Sequence, residues 1–175
     1  MRKERQLMTG AHSCAHVGLK HEEGAIAAVE QALSEAERLR MPISVILCDV
    51  DHLEVINAIH GRAAGDSLLL QLFIRVCEFI PVEDVIWESE RADLLIIARN
   101  HSYIDAYNLA ETVRESVASE LFHVAQQPIM VTVSLGSRSI IPDPDTKADD
   151  ILGLVEEQLE LSKQRGPNAV VPTVN

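Results

Sequence analysis

The chain has 175 residues, the length of one ordinary domain, and its 47% hydrophobic and 24% charged residues are typical of a globular protein rather than a disordered one. A formal net charge of −12, from 15 Lys and Arg against 27 Asp and Glu, disfavours general binding to nucleic acid because the mean field repels phosphate. No apolar run reaches the ~18 residues of a transmembrane helix and no signal peptide is recognised, so we expect a cytoplasmic chain without a membrane span.

The elements are predicted from the period of the apolar residues, with Pro and Gly marking their ends. The first 20 residues show no clear period and are interpreted as an N-terminal extension or linker, followed by one domain over residues 21–175. In chain order, the pattern predicts a helix at 22–40, a strand at 43–48, helices at 52–60 and 65–80, strands at 85–87 and 94–97, a helix at 103–120, a strand at 129–135, a helix at 148–165 and, as an option, a strand at 170–171.

The order of these elements determines the predicted architecture. Helices alternate with strands, which favours an α/β fold with a central mixed sheet and helices on its faces. The runs at 85–87 and 94–97 are joined by a short charged segment, so we interpret them as a hairpin.

Two carboxylates mark the first candidate site. Asp49 and Asp51 directly follow the apolar run that predicts a buried strand. A carboxylate at such a position is costly unless a cation or hydrogen-bond donors meet it. We therefore expect a cationic or hydrogen-bonding partner at the end of this strand, and a functional site there.

Several ordered motifs share one resemblance. They are VGLKH at 17–21, DVDHLEVIN at 49–57, GRAAGD at 61–66, LAETVR at 109–114, VTVSLG at 131–136 and LSKQRG at 161–166. With these motifs the chain resembles the GGDEF domain of bacterial diguanylate cyclases over residues 17–171. The resemblance implies a palm-like, mainly antiparallel sheet flanked by helices, and a site where two subunits condense two GTP molecules into cyclic di-GMP.

The resemblance also implies a metal site. Asp49 and the backbone carbonyl of Val50 match metal ligands of the family, and Asp93 would supply the second carboxylate. Oxygen ligands of this kind suit Mg²⁺, which would come with GTP.

Three further residues match the nucleotide site of the family. Asn57 and Asp66 match residues that hydrogen-bond guanine, and Lys163 matches a lysine that contacts phosphate. A structural alternative stays open, since Asn57 and Asp66 are residue types that commonly cap helices. On residue type alone, Asn57 would cap the short helix and Asp66 the next one.

The chain departs from the family at positions that carry charge. The glycine-rich signature falls on ERADL at 90–94, and either of two reading frames leaves one of its two acids. Glu54 stands where the family has a lysine near the phosphates, and Pro167 stands where it has an arginine.

The product-inhibition site of the family is also altered. Its arginine position is Pro81, while Asp84 keeps the acid and is otherwise interpreted as an exposed residue at the start of a strand. Without the arginine, binding of cyclic di-GMP at this place is disfavoured.

These departures predict a catalytically inactive GGDEF-like regulatory domain in bacterial cyclic di-GMP signalling. It would bind GTP with Mg²⁺, dock a protein partner or form a homodimer. The alternative is a diguanylate cyclase with weak residual activity that uses Asp49 and Asp93. The loss of several positioned charges weighs against activity, because removing one such group commonly costs ~10²-fold or more in rate.

Overall fold

The computed structural model describes residues 17–19, 22–81, 84–88 and 94–171. The elements, in chain order, are β1 (Val17–Leu19), α1 (Glu22–Leu39), β2 (Ile43–Val50), α2 (Leu53–His60), α3 (Arg62–Cys77), β3 (Val85–Glu88), β4 (Leu94–Arg99), α4 (Tyr103–Ala118), β5 (Leu121–Val124), β6 (Gln127–Met130), β7 (Val133–Ile140), α5 (Ala148–Arg165) and β8 (Val170–Val171). Each predicted helix and strand has a counterpart among them.

Six of the described strands form one mixed sheet, in the order β1-β3-β4-β2-β7-β8, and β5 pairs with β6 in a separate hairpin. The inner pairs β3–β4, β4–β2 and β2–β7 are antiparallel. The short outer strands β1 and β8 pair in parallel with β3 and β7. The predicted α/β fold with a mostly antiparallel sheet is confirmed, as is the hairpin of β3 and β4.

Alternate residues of β2 divide the core into two layers. Ile46, Cys48 and Val50 lie in the layer that includes α3 and α4, and Val45 and Leu47 lie in the layer that includes α1 and α5. Side chains of a strand alternate between the two faces of its sheet, and helices cover both faces here. The continuous apolar run of β2 follows from this double burial.

The predicted strand at 129–135 is two strands. β6 ends at Met130, and β7 begins at Val133 and continues to Ile140, because it pairs with β2 along its whole length. β5 was not predicted, since four residues with alternate side chains exposed give too short a signal. Other bounds also differ: α3 begins after Gly61, whose φ is 85°, rather than at residue 65, and β1 lies inside the segment interpreted as an extension.

Gly136 brings α5 close to the sheet. A Cβ atom at this residue of β7 would collide with the backbone of Gln158 and Leu159 in α5. The missing side chain therefore lets the helix pack directly on the strand. None of the helices in the described ranges is long and apolar enough to cross a bilayer.

Candidate functional site

An ion pair joins β2 to α5 at the end of the sheet. Lys163, in the last turn of α5, places its Nζ atom 2.7 Å from Oδ2 of Asp49 and 3.5 Å from Oε1 of Glu160. The Asp49 side chain is 19% exposed and the Lys163 side chain 36%. A cationic or hydrogen-bonding partner was expected for this carboxylate, and Lys163 supplies the cation, so the structure brings together two of the predicted site residues.

Asp51 is met by hydrogen-bond donors instead. Its carboxylate accepts from Thr132 Oγ1 at 2.6 Å, from Ser134 Oγ at 2.7 Å and from the backbone N–H of Asn168 at 2.7 Å. Arg114 in turn donates to Oδ1 of Asn168 at 3.1 Å. Asp51 thus ties the end of β2 to the start of β7 and to the turn after α5. Sequence reasoning missed this role of Asn168, because the two residues are far apart in the chain.

Asn57 lies inside α2 and contacts α3. Its Oδ1 atom is buried and accepts no hydrogen bond within the described ranges. The amide occupies the place where a Cβ of Gly65 would be, so the glycine is needed for this approach. Asp66, the next residue of α3, is exposed. The two residues predicted to bind guanine are therefore both in the α2–α3 pair.

The alternative that these two residues cap helices is wrong. His52, with a φ of 60°, precedes α2, and Asn57 is the fifth of its eight residues. Gly61 precedes α3, so Asp66 is also inside its helix. For Asp66, the physical reason is that α3 starts earlier than predicted, so that its first turn already includes the residues before Asp66.

The first turn of α2 carries an anion. Glu54 is exposed there, and the amides of Val55 and Ile56 donate to the carbonyl of His52 at 3.0 and 3.3 Å. A carboxylate at a helix N-terminus is favourable because it meets the positive end of the helix dipole. The same carboxylate repels a phosphate group that approaches this turn.

The described residues supply little for a protein-bound metal. Among them there is no group of three His, Cys, Asp or Glu side chains that could hold an ion. Asp49 is already paired with Lys163, and Val50 offers only its backbone. Asp93 and the rest of the 90–93 signature lie outside the described residues. One carboxylate fits Mg²⁺ only where nucleotide phosphates and water supply the other oxygen ligands.

Asp84 is buried, which corrects the expectation of an exposed residue. It is 2% exposed, and its Oδ1 atom accepts from the backbone N–H of Arg99 at 2.8 Å. Its Oδ2 atom lies 3.9 Å from Nδ1 of His101. The pairing of β3 with β4 folds the chain so that Asp84 faces the end of β4. The buried carboxylate of Asp84 therefore stabilises the hairpin by accepting a hydrogen bond from the end of β4.

The sequence matches the family "Diguanylate cyclase, GGDEF domain" over residues 19–169. Among curated proteins, it is similar to an uncharacterized membrane protein of Staphylococcus aureus strain USA300, with 22% identity over 144 residues. This alignment covers 81% of the chain and 40% of the relative. The chain thus spans less than half the length of this curated relative.

Solved structures resemble the fold. The coiled coil and GGDEF domain of DgcB from Caulobacter crescentus, in complex with c-di-GMP, superposes with a TM-score of 0.81 and 17% identity over 93% of this chain and 85% of that one. The active GGEEF domain of a diguanylate cyclase from Vibrio cholerae gives a TM-score of 0.78 and 24% identity over 90% of this chain and 100% of that one. At these identities the likeness is one of fold.

Proposed function

Because the chain belongs to the GGDEF domain family, which links it to cyclic di-GMP signalling, we propose that it is a catalytically silent regulatory domain that retains a guanine nucleotide site. The observation that carries this proposal is the ion pair of Lys163 and Asp49 at 2.7 Å. The cation proposed for phosphate and the carboxylate proposed for metal neutralise each other.

A negative charge near this ion pair would repel the triphosphate of a nucleotide. Glu54 adds a carboxylate at the first turn of α2, where a phosphate group would approach. Phosphoryl and nucleotidyl transfer depend on cations that neutralise the developing charge. Among the described residues that we propose to contact phosphate or metal, Lys163 is the one cation and it is engaged with Asp49, so these residues lack the charge that condensation of two GTP molecules requires.

The base side of the site supports nucleotide recognition. Asn57 holds a buried carbonyl oxygen with no donor in the described part of the chain. An unpaired buried acceptor costs about 1–3 kcal/mol, and a rotation of the side chain away from Gly65 that meets a donor of a ligand would recover this cost. Guanine carries N–H donors on its edge, and the Asp66 carboxylate offers a further acceptor.

The test is a calorimetric titration of the chain with GTP and Mg²⁺, with ATP and cyclic di-GMP as controls, next to a turnover assay with Mg²⁺ or Mn²⁺. We expect GTP to bind, ATP not to bind, and no cyclic di-GMP to form. Asn57→Ala should abolish the heat of GTP binding. Turnover would contradict catalytic silence, whereas absence of heat with every nucleotide would leave a protein partner or a second copy as the ligand.

The second candidate is a weak diguanylate cyclase. Asp49 favours it, since this carboxylate lies at the end of β2 where the family holds metal and is partly exposed. Cyclic di-GMP formed by the chain and lost in Asp49→Ala would establish this activity.

A further inference from the structure

Two contacts join the end of β2 to the region where α5 ends. The first is the ion pair of Lys163 with Asp49, at 2.7 Å. The second comes from the turn after α5, where the backbone N–H of Asn168 donates to Oδ2 of Asp51 at 2.7 Å. Each partner of the second contact lies within five residues of a partner of the first. The second contact therefore holds the backbone that carries the ion pair.

The turn that contains Asn168 is bonded to Lys163 itself. The N–H of Gly166 donates to the carbonyl of Lys163 at 3.1 Å. On the far side of the turn, the carbonyl of Ala169 accepts from the N–H of Leu135 in β7 at 2.9 Å. Asn168 has a φ of 61°, in the left-handed region that asparagine adopts more readily than most residues. Hydrogen bonds to β2 and β7 thus hold the backbone that follows Lys163.

Arg114 of α4 holds the side chain of Asn168. Its Nη1 atom donates to Oδ1 of Asn168 at 3.1 Å. Its Nε and Nη2 atoms donate to Oε2 of Glu111 at 3.0 and 2.7 Å, and Nη2 also donates to Oε1 of Glu115 at 3.3 Å. The Arg114 side chain is 18% exposed. A guanidinium presents its donors in a fixed fork, so the two glutamates orient the donor that meets Asn168.

We propose that Arg114 is a positioning residue of the nucleotide site, which acts through Asn168 to hold the last turn of α5 where Lys163 reaches phosphate. The inference rests on the proposed function, in which Lys163 contacts the phosphates of a guanine nucleotide. When a nucleotide breaks the ion pair, the contact between Asn168 and Asp51 keeps the backbone of this turn in place. The lysine then changes partner without the additional entropy cost of ordering its backbone.

The first test needs no nucleotide. Lysine ammonium groups held in ion pairs give a proton–nitrogen correlation signal in nuclear magnetic resonance spectra at low temperature, and Lys163→Arg assigns the signal of Lys163. We expect Arg114→Gln to shift or weaken this signal. Asn168→Gly should do the same, because glycine keeps the left-handed turn but has no side-chain oxygen. The double variant should show no larger effect than either single one, since both substitutions remove the same contact.

Arg75→Gln is the matched control. Arg75 is 20% exposed and pairs with Glu120 at 2.6 Å, so this substitution also removes an ion-paired and largely buried arginine. Urea unfolding should show that Arg75→Gln and Arg114→Gln both destabilise the fold, but only Arg114→Gln should change the Lys163 signal. An equal change of this signal in both variants would overturn the proposal, because the signal would then report stability rather than position.

The second test is calorimetry with GTP and Mg²⁺. Arg114→Gln, Asn168→Gly and the double variant should each weaken GTP binding about tenfold, and Arg75→Gln should leave it unchanged. The proposal is overturned by a Lys163 signal that is absent or that Arg114→Gln leaves unchanged, by unchanged GTP affinity in Arg114→Gln, or by losses that add in the double variant. A responsive Lys163 signal in a chain that binds no GTP would instead overturn the proposed function and support the positioning of Lys163 by Arg114.

Discussion

The Nζ atom of Lys163 lies 2.7 Å from Oδ2 of Asp49 and joins the last turn of α5 to the end of β2. In the nucleotide site that we propose, a bound nucleotide would draw the lysine toward its phosphates and the carboxylate toward its metal. Both changes would break the same ion pair. The intact pair would therefore compete with nucleotide binding at two positions.

Glu54→Lys should strengthen GTP binding. The substitution replaces an anion in the first turn of α2 with a cation, and a favourable change of ~1.4 kcal/mol corresponds to about tenfold in affinity. Calorimetry at low salt measures the change. Glu30→Lys makes the same change of charge at an exposed position of α1. Equal gains in the two variants would mean that net charge, rather than the site, determines affinity.

Asp51→Ala should destabilise the fold by about 3 kcal/mol, because three donors lose a charged acceptor. Urea unfolding followed by circular dichroism measures this loss. Asp66→Ala, which removes an exposed carboxylate inside α3, should change the free energy of unfolding by less than about 0.5 kcal/mol. Similar effects of the two substitutions would refute a special role for Asp51.

Gly65→Ala should destabilise the chain, although alanine is the better helix former. Its Cβ would collide with the amide of Asn57, and overpacking of this kind costs about 1–3 kcal/mol. Gly153→Ala is the matched control inside α5, since a Cβ there meets no atom within 4 Å. This control should gain about 0.5–1 kcal/mol. Asn57→Gly should rescue Gly65→Ala in a double-mutant cycle, and failure to rescue would locate the clash elsewhere.

The stability gained from Ser102 should depend on pH. Its hydroxyl donates to Oδ2 of Asp105 at 2.6 Å, and this bond lowers the pKa of Asp105 below its ordinary value. Because the pKa of Asp105 is lowered in the folded chain, the stabilisation is fully present above the ordinary pKa of an aspartate. It is lost as the pH falls through the lowered pKa. Thermal melts should show that Ser102→Ala destabilises at pH 7 and that the difference shrinks in acid. A difference that is constant with pH, as expected for Ser119→Ala, would contradict this account.

Local sequence patterns were sufficient to predict most of the helices and strands. α5 begins and ends at its predicted residues, because its apolar period, its first-turn acids and the following Gly166 all agree. A cationic or hydrogen-bonding partner at the end of β2 was also expected, since an unpaired carboxylate is costly to bury there, although the identity of that partner as Lys163 was not. These features depend on the sequence near each residue.

Contacts between distant segments could not be predicted in this way. Asp51 and Asn168 are 117 residues apart, and only the arrangement of β2, β7 and α5 brings them together. Asp84 was expected to be exposed as a residue at the start of a strand, but it is buried and its carboxylate accepts from the backbone N–H of Arg99. The periodicity of apolar residues does not predict such contacts between distant residues.

The outer strands determine how the sheet opens. β1 has three residues and β8 has two, each with one parallel neighbour, whereas β2 has eight residues paired on both sides. Backbone amides at such edges exchange with solvent through small local fluctuations, whereas amides of the central strands exchange only through larger unfolding events. Hydrogen exchange should therefore proceed inward from β1 and β8, and the strand that carries Asp49 should be among the last to exchange.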